Sequence, residues 1–189
     1  RPEDIEEYAA LIEKNGQLLM FLISDILDLS KIESNTMEFN VSVFSLNKMF
    51  ADIARMQRLN VKPGVELIAD LPAEDVSITA DPVRLEQVVN NLINNAIKFT
   101  SRGSIRIGYR RRGEKDVELF VEDTGKGMSE EVIAHVFERF YKGDSFVQGT
   151  GLGLAICKTI VEHFGGEIRA ESEVGEGARF EVCLPIGRK

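Results

Sequence analysis

Two glycine-bounded stretches carry the residues whose types and spacing could do chemistry. The first is DTGKGM, Asp123 to Met128, and the second is GTGLGL, Gly149 to Leu154, with FERFY between them at 137–141. A carboxylate at a strand end, followed at once by Gly125 and Gly127, sets a hydrogen-bond acceptor where a flat ligand can approach bare backbone. Gly149, Gly151 and Gly153 then open a helix whose first N–H groups would face an anion. One end suits a base and the other suits phosphates. Either cluster alone is a weak signal that reads more readily as an ordinary tight turn. Together, in this order, they call for a third piece upstream, which the chain supplies at Asn91, Asn95 and Lys98. Amide oxygens complete the shell of a hard Mg²⁺ already held by phosphates, and Lys98 supplies a point charge to phosphate oxygens. Without the glycine clusters the same face would read as merely solvated.

The elements that must position these groups follow from local signals. Asp81-Pro82 is an N-cap acid followed by proline at the first helical position. The helix it starts, to about Phe99, buries Leu85, Val88, Val89, Leu92, Ile93 and Ala96, and carries Arg84, Gln87, Asn91, Asn95 and Lys98 along its other face. Asn90, Asn91, Asn94 and Asn95 are poor helix formers within two turns, a cost that suggests a use. Ile105–Arg112 and Val117–Asp123 form a hairpin, with Arg110, Arg111 and Arg112 read as a solvated turn. Ser129 caps a short helix anchored by Phe137, Phe140 and Tyr141. The loop Gly143–Gly149 has the character of a lid. A helix from Gly153 stops at Gly165-Gly166, and Ile168–Glu171 and Arg179–Leu184 close the sheet. Upstream, Met37–Phe44 alternates like a strand, Ser45 caps a helix to about Leu59, and strands follow near Val65–Leu71 and Val76–Thr79. From Pro2 to about Glu33, apolar residues at Ile5, Tyr8, Ile12, Leu19, Leu22, Ile26 and Leu29 mark one long helix, ~48 Å at 1.5 Å per residue. Leu11, Leu18 and Ile32 add a second stripe. It either lies on its own domain or, as preferred here, joins an intermolecular bundle.

Composition limits the function classes. The chain has 189 residues, 43% of them hydrophobic, enough for one good core and a separate element. A formal charge of −8 argues against nucleic-acid or membrane-surface binding, so any phosphate site must be made locally. Cys157 and Cys183 lie in apolar runs without metal-ligand spacing, which fits core packing in a reducing compartment. His135 and His163 are the only histidines and read as surface or helix-end residues. No apolar run approaches the ~20 residues of a membrane span. The absence of a starting methionine suggests a fragment.

In this order and at this spacing, NNLINNAIKFT, DTGKGM, FERFY and GTGLGL closely resemble the N, G1, F and G2 boxes of sensor histidine kinases, in the ATPase superfamily shared with DNA gyrase and mismatch-repair proteins. The resemblance implies an α+β fold, a two-layer α/β sandwich with a mixed β-sheet backed by helices, preceded by one long bundle-forming α-helix. Residues 36–189 would be the catalytic ATP-binding domain. Residues 1–35, ending SDILDLSKIES, would be the second helix of the dimerisation and phosphoacceptor hairpin. By the same resemblance Asp123 accepts a hydrogen bond from the adenine amino group, and Gly125 and Gly127 let the ring pack close. Asn95 matches the Mg²⁺-binding asparagine. Asn91, also counted as a metal residue, stands where hydrolytic relatives place a general-base glutamate; an amide there fits transfer to a side chain rather than hydrolysis. Lys98 and Arg139 match phosphate contacts, and Gly149, Thr150, Gly151, Leu152 and Gly153 the G2 cradle. Phe99, Tyr141 and Lys142 are counted with the nucleotide contacts.

The implied activity is Mg²⁺-dependent transfer of the ATP γ-phosphoryl to a histidine, for relay to the aspartate of a response-regulator receiver domain. The implied setting is a homodimer through the N-terminal helix, in the cytoplasmic part of a bacterial sensor whose membrane anchor lies outside this chain. One departure stands out. Neither His135 nor His163 matches the phosphoacceptor motif, whose helix is not in this chain. The alternatives are a serine kinase or ATPase of the same superfamily, or a nucleotide-sensing module without transfer.

Overall fold

Alternating apolar runs and their turn chemistry decide how the strands pair. The computed structural model describes residues 2–34, 36–143 and 150–187. In chain order the elements are α1 (Pro2–Glu33), β1 (Ser42–Ser45), α2 (Leu46–Gln57), β2 (Val65–Asp70), β3 (Ser77–Ala80), α3 (Pro82–Phe99), β4 (Gly103–Arg112), β5 (Asp116–Asp123), α4 (Glu130–His135), α5 (Gly153–His163), β6 (Glu167–Glu173) and β7 (Gly177–Pro185). Five strands make one sheet in the order β2-β4-β5-β7-β6, and β1 and β3 pair separately. β2 runs parallel to β4 and every other neighbour is antiparallel, so the sheet is mixed, as expected.

The helices cover one face of the sheet because every second strand residue there is apolar. Ile105, Ile107 and Tyr109 of β4, Val117, Leu119 and Val121 of β5, and Phe180, Val182 and Leu184 of β7 are buried against Leu85, Val88, Val89, Leu92 and Ile93 of α3 and Ile156, Ile160 and Val161 of α5. Burying one such side chain is worth about 1.5–3 kcal/mol, so this layer is what fixes α3 and α5 in place. Cys157 belongs to it; burial pushes its thiol up to about 12, which fits packing rather than reactivity. The other face carries charge. Phe120, only 1% exposed, lies under the Arg179 and Arg110 guanidiniums at 4.7 and 5.6 Å, and Arg179 also pairs with Glu122 and Glu181. Arg110 and Arg112 therefore belong to cross-strand pairs with Asp70 and Glu118 rather than to a solvated turn alone.

Caps fall where the sequence places them. Ser45 Oγ accepts from Lys48 N, Ser129 Oγ from Val132 N, and one Asp81 oxygen from Val83 and Arg84 N. The other Asp81 oxygen accepts from Asn40 N at 2.8 Å, which pins the segment before β1 to the start of α3.

The strand expected over Met37–Phe44 is a difference. Residues 37–41 form no ladder, and only Ser42–Ser45 pairs, with β3. Side chains hold this segment instead: the Phe39 ring stacks on His163 at 3.6 Å and meets Phe164 edge-on. The apolar phase also slips, leaving Val43 70% exposed while Phe44 packs against the core. Met37 and Phe39 alternate because they reach α5 and its surroundings, which a period of two cannot tell from a strand.

Part of α1 lies on its own domain. Its C-terminal part docks on the domain through Leu29 and the buried Asp28, whose carboxylate accepts from Arg84 Nη1 at 3.1 and 3.2 Å and from Gln87 Nε2 at 2.8 Å. Farther toward the N-terminus Ile5, Tyr8, Leu11, Ile12, Leu19 and Met20 are all more than half exposed. Among the described residues no helix is long and apolar enough to cross a membrane.

Candidate functional site

α3 joins the two glycine segments because its middle and its end face different partners. At its C-terminus the Phe99 carbonyl accepts from Lys126 N at 3.4 Å, fastening the DTGKGM loop. In its middle Asn91 Nδ2 approaches Gly153 O at 3.4 Å and Cys157 Sγ at 3.6 Å, fastening the start of α5. With its amide N–H₂ turned to α5, Asn91 has its carbonyl oxygen to offer a cation. Asn95 follows one turn on, half-buried, and Lys98 Nζ lies 5.2 Å from the centre of the Phe99 ring. Arg84 and Gln87, on the same line, are engaged with Asp28 instead, so the polar face divides into a docking half and a site half.

Asp123 ends β5 and is buried, 7% exposed as a residue. One oxygen accepts from Gly125 N at 2.8 Å and from the hydroxyl of the fully buried Thr100 at 3.3 Å. Burial raises its pKa above the ordinary aspartate value, with the Gly125 and Thr100 hydrogen bonds pulling the other way. A group raised in this way favours the fold while protonated and loses that contribution as pH climbs through its folded pKa. At neutral pH the buried charge is a cost retained by the fold.

The bare backbone of the first cluster faces the protein. A Cβ on Gly125 would come within 2.6 Å of Phe99 O, and one on Gly127, at φ +66°, within 1.9 Å of Glu173 O. These glycines let the loop lie against α3 and the β6–β7 turn, which leaves the Asp123 carboxyl fixed at the loop's root. The close approach these glycines allow within the protein is backbone on backbone. Lys126, between them, sits 5.0 Å from the centre of the Phe99 ring.

In the second cluster Gly149 lies outside the described residues, as does most of the expected lid. Thr150 Oγ1 accepts from Leu152 N at 3.1 Å, and the Leu152 side chain is core, 1% exposed. Leu152 therefore contributes through backbone to the turn that starts α5 at Gly153. Gly151 O accepts from Phe140 N at 2.8 Å, so FERFY and GTGLGL meet directly. Phe137 packs edge-on against Phe180, but Phe140, at φ +62°, is 66% exposed rather than an anchor. Tyr141 lies beside His135, whose Nδ1 is 2.8 Å from Glu138 Oε1, and Lys142 is exposed. Arg139 is bonded to Glu33, and Thr150 Oγ1 donates to Asp25 Oδ2 at 2.8 Å. Neither α1 partner was anticipated. Asp25, Asp28 and Glu33 fall on one side of a helix at spacings of three and five, a signal present in the sequence but indistinguishable there from a solvated acidic face.

No His, Cys, Asp and Glu cluster able to hold a metal occurs among the described residues. The donors near α3 are amides, which suit a hard divalent ion whose remaining ligands are phosphate oxygens and water. The family pattern for histidine kinase-, DNA gyrase B- and HSP90-like ATPases matches residues 80–188, which takes in α3, both glycine clusters and the closing strands. The chain belongs to this ATPase family. Within the family it is similar to sensor kinases. It is 36% identical over 191 residues to the sensor histidine kinase RcsC of Escherichia coli, a match covering 98% of this chain and 20% of that protein. It thus spans about a fifth of that relative's length. Among solved structures, full-length ShkA in complex with AMPPNP superimposes with a TM-score of 0.84 at 27% identity, over 97% of this chain and 39% of that one. Histidine kinase ThkA in complex with the response regulator TrrA gives 0.77 at 25% identity, over 98% and 52%. The expected fold and family are thereby met: this is an ATP-binding ATPase domain of the sensor-histidine-kinase type.

Proposed function

We propose that the chain transfers the γ-phosphoryl of ATP to a histidine nitrogen supplied by another helix. The observation that carries this reading is the meeting of three segments around α3: the fixed Asp123 carboxyl beside its C-terminal end, Asn95 and Lys98 along its last turns, and the start of α5 against Asn91 in its middle. Asp123 accepts from the adenine amine, with Phe99 beside the base. Lys98, Arg139, Lys142, Thr150, Tyr141 and the backbone from Gly149 to Gly153 serve the triphosphate. Asn95 and Asn91 would hold Mg²⁺ together with phosphate oxygens, and the ion would supply charge neutralisation there. The incoming imidazole nitrogen forms the new N–P bond, the bond from phosphorus to the β,γ-bridging oxygen breaks, and ADP leaves. The domain's own work is positioning and charge neutralisation. Asn91, an amide bonded to α5, is no base for water, which favours transfer over hydrolysis.

In this reading residues 36–189 form the catalytic domain and α1 is one helix of a dimerisation hairpin, pairing with the helix that bears the histidine. The exposed apolar residues from Ile5 to Leu27 support that role, since a contiguous apolar stripe of this length calls for a cover. A receiver domain is the onward acceptor and the cytoplasm the setting.

Mixing the chain with a separate histidine-bearing helical hairpin and [γ-³²P]ATP tests the proposal. Acid-labile phosphate on the hairpin is the expected product; acid-stable phosphate, or release of free phosphate alone, would replace this reading with a serine kinase or a hydrolase. A second expectation concerns pH. The adenine amine needs the ionised carboxylate of Asp123, whose pKa is raised, so nucleotide binding should weaken as pH falls, with a midpoint above that of an ordinary aspartate. Binding near that midpoint should release a proton. Calorimetric titration in two buffers of different ionisation enthalpy reads this directly, and proton uptake would be the wrong sign.

A further inference from the structure

The carboxylates of α1 fall on groups that a triphosphate would claim. Thr150 Oγ1 donates to Asp25 Oδ2 at 2.8 Å, and Arg139 is paired with Glu33. These two residues come from the segments on either side of 144–149 and are brought together by the bond from Phe140 N to Gly151 O. A third acid, Asp28, holds Arg84 and Gln87 near the start of α3, well before Asn91 along the helix.

The three contacts differ in strength in a way that matters. Asp28 and Arg84 have side chains 10% and 19% exposed, and such a pair is costly to break because one charge would be left buried. Glu33 and Arg139 are 56% and 44% exposed, so solvent screens them and their pairing is weak. Asp25 is half-buried and accepts from a neutral hydroxyl. A firm pivot at Asp28 thus sits between two contacts that a stronger anion can replace. Polyphosphate oxygens carry more charge than one carboxylate, and two anionic groups cannot share Arg139 and Thr150 without repulsion.

We propose that α1 is a competitive latch on the nucleotide site, with Asp25 and Glu33 occupying Thr150 and Arg139 until a nucleoside triphosphate displaces them. Docking of the last turns of α1 and binding of the triphosphate then oppose each other. By linkage, whatever pulls α1 away tightens nucleotide binding, and nucleotide loosens α1 by the same factor. This rests on the nucleotide site proposed above and adds the means by which the helix controls it.

The test compares the parent chain with the double variant Asp25→Asn, Glu33→Gln by calorimetric titration with ATP and with AMP, after circular dichroism has shown equal helix content. Removing the negative charge from two replaceable contacts should tighten ATP binding roughly two- to tenfold. AMP, without the outer phosphates, should bind both proteins alike. Equal or weaker ATP binding by the variant overturns the latch and makes the two acids supports for Arg139 and Thr150. If neither protein binds ATP, the site assignment falls and the latch with it; if both bind with one affinity, the latch alone falls. Amide exchange over residues 25–33 supplies a second readout in the unaltered chain. It should speed up when ATP is added, because an undocked helix end frays, and slowing would count against the proposal.

Discussion

Replacing Asp123 by Asn is expected to cost about 1–3 kcal/mol of nucleotide binding, roughly five- to 150-fold in Kd, while the melting temperature at neutral pH stays the same or rises. The two halves have one origin. Gly125 N–H and the Thr100 hydroxyl both donate to the same Asp123 oxygen, so an asparagine there will keep its carbonyl oxygen toward them. Its N–H₂ then takes the place of the second carboxylate oxygen and meets the adenine amine as donor against donor. Folding, by contrast, gains from the change, because burial makes the ionised carboxyl a cost that a neutral amide avoids. Calorimetry with ATP and a thermal melt on the same samples check the pair. A variant that binds ATP like the parent would remove Asp123 from the base site. One that loses binding and stability together would make it a scaffold residue whose effect on ligand is indirect.

That separation between site and scaffold was only partly legible in the sequence. α3 was: its cap, its apolar face and its line of amides have local causes, and residues 82–99 form it. The hairpin β4–β5 and the strands around it were legible for the same reason, since inward-facing apolar residues alternate with outward-facing, mostly charged ones along β5 and β7. What escaped was pairing between elements distant in the chain. Helical spacing places Arg84 and Gln87 in line with Asn91, but spacing cannot say that Asp28, more than fifty residues earlier, takes them up. The same holds for Arg139 with Glu33 and Thr150 with Asp25. Thr100 was passed over although it follows Phe99 directly, because nothing local shows that its hydroxyl reaches Asp123. The segment 37–41 failed in the opposite sense: its alternation is real, but the partner is a helix surface and two rings rather than a neighbouring strand.

Gly127→Ala should be the more damaging of the simple changes, lowering stability by about 3 kcal/mol or more. Two terms enter. An alanine at φ +66° pays about 1–2 kcal/mol for the left-handed conformation alone. The added methyl must also fit 1.9 Å from Glu173 O and 3.1 Å from Gly177 O, both backbone atoms of the β6–β7 turn. That turn cannot step aside easily, because Gly175 N donates to Lys126 O, Met128 N to Ser172 Oγ, and Ser172 Oγ in turn to Gly177 O. Gly113 allows the terms to be separated. It has nearly the same φ, +68°, but nothing within 4 Å of its would-be Cβ, so Gly113→Ala carries the conformational cost only. At about 2–4 °C per kcal/mol for a chain of this size, Gly127→Ala should melt several degrees below Gly113→Ala. It should also weaken ATP binding, since relief of the clash shifts the loop whose root holds Asp123, whereas Gly113→Ala, at the far hairpin tip, should leave binding unchanged. Equal melting temperatures for the two variants would mean that the loop and the turn separate at little cost, and that the Asp123 carboxyl is held by β5, Thr100 and Gly125 without help from the β6–β7 turn.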